Sequence, residues 1–494
     1  MKKTSVVPCL ATLLSVSSPA IVQAAAVPES PNFLVIVIDD MGYMDIGANN
    51  PNTFYETPNI DKLANTGMRF TNGYAANPVC SPTRFSIQTG RYPTRRDATD
   101  WFGATRQARF LPAEMNHFMP LDEITMAEAL KRKNYKTFFA GKWHLGETED
   151  LWPEHQGYDI NKGGTSQGAP HRGGGRYFAP YNNPRLADGP KGEYLPNRLA
   201  EETVRFLEEQ GDKPFLAVLS FYNVHTPLMT TEALKMKYEK KKKMQHLQNV
   251  TEFKQVEQYW PNKRKRMNRI VQNHTTYAGM VEATDTAVGR VLDKLEELGL
   301  DENTVVFFTA DNGGLSTAEG SPTSNLPLRG GKGWIFEGGI REPFIIRAPG
   351  VTKAGAVNQT PICSIDIFPT VMDFAGVQPA KDDLPIDGVS LKTTLAGETM
   401  PERDIYWHYP HYSNQGGPPA AAIRSGDWKL VEFLETGNVE LYNIKQDIGE
   451  SKDLSTQYTH QVRIMRSKLH DWYKQTGAKF LRAKNGKTPW QPSL

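Results

Sequence analysis

Asn32–Ile38 (NFLVIVI) is an almost unbroken apolar, β-branched run, the pattern of a strand buried on both faces. Comparable runs at Lys136–Ala140, Phe215–Phe221, Val305–Ala310 and Phe344–Arg347 predict further buried strands. Between them, helical stretches are expected over Pro58–Asn65, Ile124–Arg132, Asn197–Glu209 and Arg266–Leu298. Strand alternating with helix predicts an α/β fold, a mostly parallel sheet covered by helices on both faces. Ligands of such sheets collect outside the carboxyl ends of the strands. Asp39, Asp40, Lys142, His144, His225, Asp311 and Asn312 each follow a predicted strand, so one rim is expected to gather them.

Near Lys381 the pattern shifts to short strands, Asp404–His408, Ala420–Arg424, Trp428–Phe433 and Glu440–Asn443, with a closing helix over His460–Gln475. Residues 27–380 are therefore read as a catalytic-sized α/β domain and 381–494 as a smaller C-terminal α+β subdomain with an antiparallel sheet. Gly163–Gly175 is expected to be a surface loop, because no buried strand feeds it into a helix. At the start, Lys2 and Lys3 precede an apolar stretch from Val6 to Val22 that closes on small residues, Ala24 to Ala26. Residues 1–26 thus read as a cleavable signal peptide, and a periplasmic or secreted destination follows. No later run approaches the length of a membrane span, so none is expected.

Composition narrows the classes. The 494 residues are 39% hydrophobic and 10% aromatic, with 57 Lys+Arg against 55 Asp+Glu, which excludes a disordered chain and a bulk nucleic-acid coat. The near-zero balance hides one basic segment. Lys235 to Arg269 holds twelve Lys/Arg and three acids, ordinarily a solvated helical face, alternatively a cleft border that attracts a polyanion. Of the three cysteines, Cys9 leaves with the signal peptide. Cys80 and Cys363 either pair in an oxidising compartment or one of them serves chemistry.

Two sets of residues suggest chemistry. Asp39-Asp40 and Asp311-Asn312 place two oxygen-donor pairs on one rim, which suits a hard divalent cation, Ca²⁺ or Mg²⁺. Cys80-Ser81-Pro82-Thr83-Arg84 sets a sulfur before a helix start, where the positive helix end and Arg84 are expected to lower the thiol pKa.

Cys-x-Pro-x-Arg followed by Thr89-Gly90-Arg91 resembles the signature of the type I sulfatases. The resemblance continues through Asp39-Asp40, Gly141-Lys142-Trp143-His144, the histidine before proline in His225-Thr226-Pro227, Asp311-Asn312-Gly313, and Lys332 in Gly330-Gly331-Lys332-Gly333. It implies an alkaline-phosphatase-like fold and hydrolysis of sulfate esters, most simply on a carbohydrate or polysaccharide. It also implies that a maturation enzyme converts Cys80 to Cα-formylglycine, whose hydrate attacks sulfur with help from Asp311. Asp39, Asp40, Asp311 and Asn312 would hold calcium, with magnesium the alternative. Arg84, Lys142 and Lys332 would surround the sulfuryl oxygens, His225 with Lys332 would protonate the leaving oxygen, and His144 would take the second proton and expel sulfate.

Ordinary phosphatases of the same superfamily use Ser or Thr where Cys80 stands, and a phosphoesterase or phosphonate hydrolase is the enzymatic rival. A non-catalytic glycan-binding protein is the rival of another class. For the substrate, the tract Trp407–Tyr412 combines histidines with aromatics and resembles a segment of bacterial polysaccharide sulfatases. His408, His411 and Arg106 are the candidate substrate-binding residues, with Trp101 and Arg109 behind them.

Overall fold

The computed structural model of the chain describes residues 30–259, 265–380 and 384–493, together with residues 1, 3 and 4. Apart from residues 1, 3 and 4, the expected signal peptide lies outside the described residues, as does Lys381 at the expected boundary. An eight-stranded sheet forms the body, in the spatial order Ala356–Asn358, Met68–Phe70, Phe344–Arg347, Thr304–Ala310, Asn32–Ile38, Phe215–Ser220, Lys136–Gly141 and Ile160–Lys162. Every neighbouring pair is parallel except the two made by Phe344–Arg347, which runs opposite to the rest. Asn32–Ile38 sits centrally and pairs with Thr304–Ala310 on one side and Phe215–Ser220 on the other.

The continuous apolar run of that strand is explained by burial on both faces. Leu34, Ile36 and Ile38 pack under the Pro58–Thr66, Leu195–Glu209 and Thr275–Glu297 helices. Phe33, Val35 and Val37 pack under Cys80–Thr89, Met126–Lys131 and Ile367–Phe374. Successive side chains of a strand point to opposite faces, so an all-apolar run fits only a sheet covered twice. Among the described residues no helix is long and apolar enough to cross a membrane.

The small antiparallel sheet runs in the order Asp404–Tyr409, Ala420–Ser425, Trp428–Phe433, Val439–Asn443, and carries the Thr459–Thr476 helix. Its seam with the body is ionic as well as apolar. Lys429 Nζ lies 3.0 Å from Glu337 Oε1 and 2.8 Å from Glu450 Oε1, with all three side chains fully buried. Arg341 Nε closes on the second oxygen of Glu337 at 2.7 Å.

One helix differs from expectation. The stretch expected as Arg266–Leu298 is helical only over Thr275–Glu297. Met267–Arg269 instead pairs antiparallel with Phe253–Gln255, and His274 caps the helix by accepting from Tyr277 N–H at 3.3 Å. A ladder partner thus captures the backbone groups a helix would have used. The basic helix Glu232–Met244 is the solvated face expected, with only Tyr238 buried, and part of the run's charge is paired. Lys237 and Lys241 bind Glu56, Lys237 also binds Glu282, and Lys242 and Arg269 bind Glu252.

Candidate active site

The strand ends converge at one rim. Asp39 and Asp40 directly follow the central strand and Asp311-Asn312 follow its neighbour, in register with Ile38 opposite Ala310. Asp40 has φ of 62°, a left-handed conformation that costs a residue with a β-carbon. That turn lets the Asp40 N–H donate to Asp311 Oδ1 at 3.2 Å, which ties the two acidic pairs together. Asn312 Nδ2 donates to Asp40 Oδ1 at 2.8 Å.

Cations interleave with these acids. Arg84, one turn into the Cys80–Thr89 helix, donates from Nε to Asp311 Oδ2 at 2.8 Å and from one terminal nitrogen to Lys142 O at 2.8 Å and Ser220 Oγ at 2.5 Å. Lys142 Nζ lies 2.7 Å from Asp39 Oδ2, and Lys332 Nζ lies 2.8 Å from Asp40 Oδ1 and 2.9 Å from Oδ2. Ser220 was not anticipated as a partner, although its place at the end of the Phe215–Ser220 strand was a usable signal.

Cys80 opens its helix, only 3% exposed, with Sγ 3.6 Å from His144 Nδ1. Sγ also lies within 4.8 Å of carboxylate oxygens of Asp39 and Asp311. His144 has φ of 58° and is anchored by its N–H on Thr165 O at 3.1 Å. His225 Nδ1 is 2.8 Å from Thr226 O and its Nε2 is 3.8 Å from Asp40 Oδ2. The Nδ1–H tautomer is therefore the one this contact selects, leaving Nε2 toward the acids.

Burial governs the titration of the cluster. It pushes Asp39 well above the carboxylate range, with Lys142 opposing and Asp311 and Asp40 adding to the rise. For Asp40 burial acts the same way, but Lys332, His225 and Lys142 overcome it and hold the group ionised. Burial, then Lys142 and Arg84, keep His144 neutral, and burial with Lys332 brings His225 down to about 3. The expected lowering of the Cys80 thiol is overturned. Burial raises its pKa, and Lys142 and Lys332 only partly offset that. An unmodified Cys80 is thus a poor thiolate here. Cys80 and Cys363 are both free and buried, so they do not pair with each other.

The donor set fits a divalent cation. Asp39 Oδ1 and Asn312 Oδ1 are buried oxygens with no hydrogen-bond partner among the described residues. Orphaned buried acceptors are costly unless a ligand meets them. Asp39, Asp40 and Asp311 face Arg84, Lys142 and Lys332, all six buried, and a divalent cation would draw Asp39, which burial otherwise keeps protonated, into its ionised form.

Two other expectations change. The Gly163–Gly175 stretch is not only a surface loop: it supplies Thr165 to His144, and Gly168 abuts the His144 ring. His408 and His411 do not face a cleft. His408 is 1% exposed, its Nε2 2.7 Å from Lys479 O, packed by Tyr473 and Phe480. His411 is 2% exposed, with Nε2 2.8 Å from Thr99 Oγ1. Both sit inside the seam of the small sheet because the aromatics around them demand burial, so neither offers a surface to a sugar. Arg106 is exposed, and its Nε donates to Asn414 Oδ1 at 2.6 Å. Arg109 pairs with Glu435.

Comparison with known proteins gives the arrangement a context. Residues 31–377 match the family described as Sulfatase, and residues 331–476 match the C-terminal region of N-sulphoglucosamine sulphohydrolase. The chain is 32% identical to N-acetylgalactosamine-6-sulfatase of Mus musculus over 456 residues, covering 91% of this chain and 81% of the relative. It is 29% identical to a sulfatase of Formosa agariphila over 525 residues, covering 90% and 89% of the two chains. The crystal structure of Ps i-CgsB in complex with k-i-k-neocarrahexaose superposes with a TM-score of 0.71 at 27% identity, covering 90% of this chain and 92% of that one. The first family match runs from the strand that precedes Asp39 to beyond Lys332, and on that evidence the chain belongs to the sulfatase family.

Proposed function

We propose that this sulfatase hydrolyses sulfate esters of a carbohydrate with Cys80 converted to Cα-formylglycine and calcium held by Asp39, Asp40, Asp311 and Asn312. The observation that carries the reading is the buried cysteine at a helix start, with carboxylate oxygens of Asp39 and Asp311 within 4.8 Å of its sulfur and the charges of Arg84, Lys142 and Lys332 acting on it. Matured, position 80 supplies an aldehyde hydrate as nucleophile, and calcium supplies positive charge beside it, with Mg²⁺ the alternative ion. The remaining work belongs to side chains of this chain.

Arg84 is pinned through Asp311, Lys142 O and Ser220 Oγ, so its charge needs no reorganisation when negative charge develops. Lys142 and Lys332 present the other two cations to the sulfuryl oxygens. Neutral His144, 3.6 Å from the side-chain atom of residue 80, suits the removal of a proton there. Lys332, held protonated beside Asp40, suits delivery of a proton to the leaving oxygen, and the bare Nε2 of neutral His225 faces the site as the acceptor that would relay it. Asp311 accepts from both Arg84 and Asp40 N–H, which keeps its carboxylate oriented toward residue 80.

Similarity to N-acetylgalactosamine-6-sulfatase supports a sulfated sugar as substrate. We further assign residues 1–26 to a leader directing the protein to the periplasm or outside the cell. N-terminal sequencing of exported protein starting near Val27 is the result expected, and a retained Met1 rejects it.

A mass spectrum of the Cys80 peptide from the native host tests the chemistry. The expected peptide carries formylglycine, and an unmodified thiol in active protein overturns the mechanism. Sulfate release is expected to exceed phosphate release from matched esters, and the reverse order favours the phosphoesterase rival.

A further inference from the structure

Two arginines from distant parts of the chain meet at one half-buried asparagine. Arg106 Nε donates to Asn414 Oδ1 at 2.6 Å, and a terminal nitrogen of Arg266 donates to Asn414 O at 2.6 Å. Asn414 is the one residue between His411 and Ala420 that is not buried. The side chain of Arg266 crosses Gly416, within 3.4 Å of where a β-carbon would sit. Burial and the like charge of Arg106 lower the pKa of Arg266, with Glu319 the opposing acid. Among the described residues no ion pair joins Arg266 to a carboxylate, and Glu319 is engaged by Gln415 Nε2 at 2.7 Å. Two guanidinium groups brought to one residue are favoured when an oxyanion lies near both.

Both anchors of this pair are built on residues beside the reacting centre. The Arg106 segment is fastened by Phe102 N–H donating to Ser81 Oγ at 3.1 Å, one residue after Cys80. The Asn414 loop lies on Gly333, one residue after Lys332, where a β-carbon would fall 2.0 Å from Ser413 Oγ. Trp334 Nε1 donates to Gln415 O at 3.2 Å, and Thr317 Oγ1 donates to the same oxygen at 2.8 Å. Glu319 acts on both Lys332 and Arg266, so the arginine pair and the catalytic lysine share one electrostatic neighbourhood.

We propose that Arg106 and Arg266, joined through Asn414, form a subsite for a second anionic group of the substrate, a sulfate or a carboxylate on the glycan that carries the ester being cleaved. Guanidinium groups suit both oxyanions because their planar donors bind two oxygens at once. The subsite rests on the sulfatase reading and deepens it from a sulfated sugar to a polyanionic glycan.

Binding to Cys80→Ala protein, which leaves ligands intact, tests the subsite by calorimetry. The probes are galactan oligosaccharides of equal length with one or two sulfates per disaccharide, and a chondroitin 6-sulfate oligosaccharide of the same length. The expected result is a preference of about tenfold or more for a doubly anionic probe over the monosulfated galactan, the size of one charge-assisted contact. The tighter of the disulfated and the carboxylate-bearing probes identifies the second anion. Arg266→Ala and Arg106→Ala are each expected to collapse the preference, and added salt to weaken it in the parent protein. Arg266→Gln keeps a donor for Asn414 O without the charge, and is expected to lose the preference as Arg266→Ala does. No preference in the parent, or a preference that survives Arg266→Gln, overturns the subsite. Sulfate release by matured parent protein is measured separately, so failure of the sulfatase reading and failure of the subsite are told apart.

Discussion

Gly168 abuts the His144 imidazole so closely that a β-carbon there would lie 2.5 Å from Cε1, 2.8 Å from Nε2 and 3.0 Å from Nδ1. The ring cannot yield easily, because its backbone is left-handed and tied to Thr165 O. Gly168→Val is therefore expected to displace His144 while sparing the fold. Small misplacements of catalytic groups cost up to about a hundredfold. A kcat reduced roughly tenfold to a hundredfold, with an unfolding temperature within a few degrees of the parent, is the expected outcome. Unchanged kcat rejects this role for the loop.

Lys429 holds two buried carboxylates, Glu337 and Glu450, at the seam of the small sheet. Lys429→Met leaves them facing each other without their shared cation. Breaking a buried ion pair on one side costs about 3–5 kcal/mol, so denaturant unfolding is expected to show a loss of that order. Glu450→Gln in the same background removes one of the stranded charges and is expected to restore part of the loss.

Asp100 accepts from Trp101 N–H and the Tyr409 hydroxyl, and burial raises its pKa to about 7 despite those bonds and Arg106. An acid whose folded pKa lies above its unfolded value stabilises most when protonated. Its contribution is complete below the unfolded pKa near 3.8 and is lost as pH rises through about 7. Between pH 5 and pH 8 the parent is expected to lose up to about 3 kcal/mol that Asp100→Asn does not. Urea midpoints of both proteins across that range measure the difference, and parallel pH profiles reject the assignment.

Asp39 Oδ1 and Asn312 Oδ1 are buried acceptors at the rim with no hydrogen bond among the described residues. Calcium added to chelator-treated protein is expected to raise its unfolding temperature, since a ligand at a hundred times its Kd stabilises by about 2.7 kcal/mol. Asp311→Asn, removing a charge from the donor set, is expected to shrink that rise. A shift that survives Asp311→Asn, Asp39→Asn and Asp40→Asn together places the ion elsewhere.

How much of this was legible in the chain follows from how local each feature is. The apolar runs Asn32–Ile38, Phe215–Ser220 and Thr304–Ala310 announce strands covered on both faces, and polar residues at a strand end must lie at the rim. Asp39, Asp40 and Asp311 are legible that way, while Cys80 is legible from the helix start it opens and from its motif. Histidines inside a tract of aromatics carry no such signal, because His408 and His411 could face a sugar or a core with the same neighbours in sequence. Packing against Tyr473, Phe480 and Thr99 sent both inward. Met267–Arg269 likewise reads as the start of a helix until Phe253–Gln255 arrives as its ladder partner.

The sequence by itself determined the strand order of chemistry along the chain, since a strand end is defined by its own residues and the turn that follows. Only the tertiary structure decided which side chains share a volume. Gly168 reaches His144, and Arg106 and Arg266 reach Asn414, through loops whose contacts close over more than a hundred residues of sequence for Asn414. Burial did the same for energetics: it raised the Cys80 thiol that Arg84 and a helix end were expected to lower. Desolvation depends on everything packed around a group, and no stretch of neighbouring residues encodes that sum.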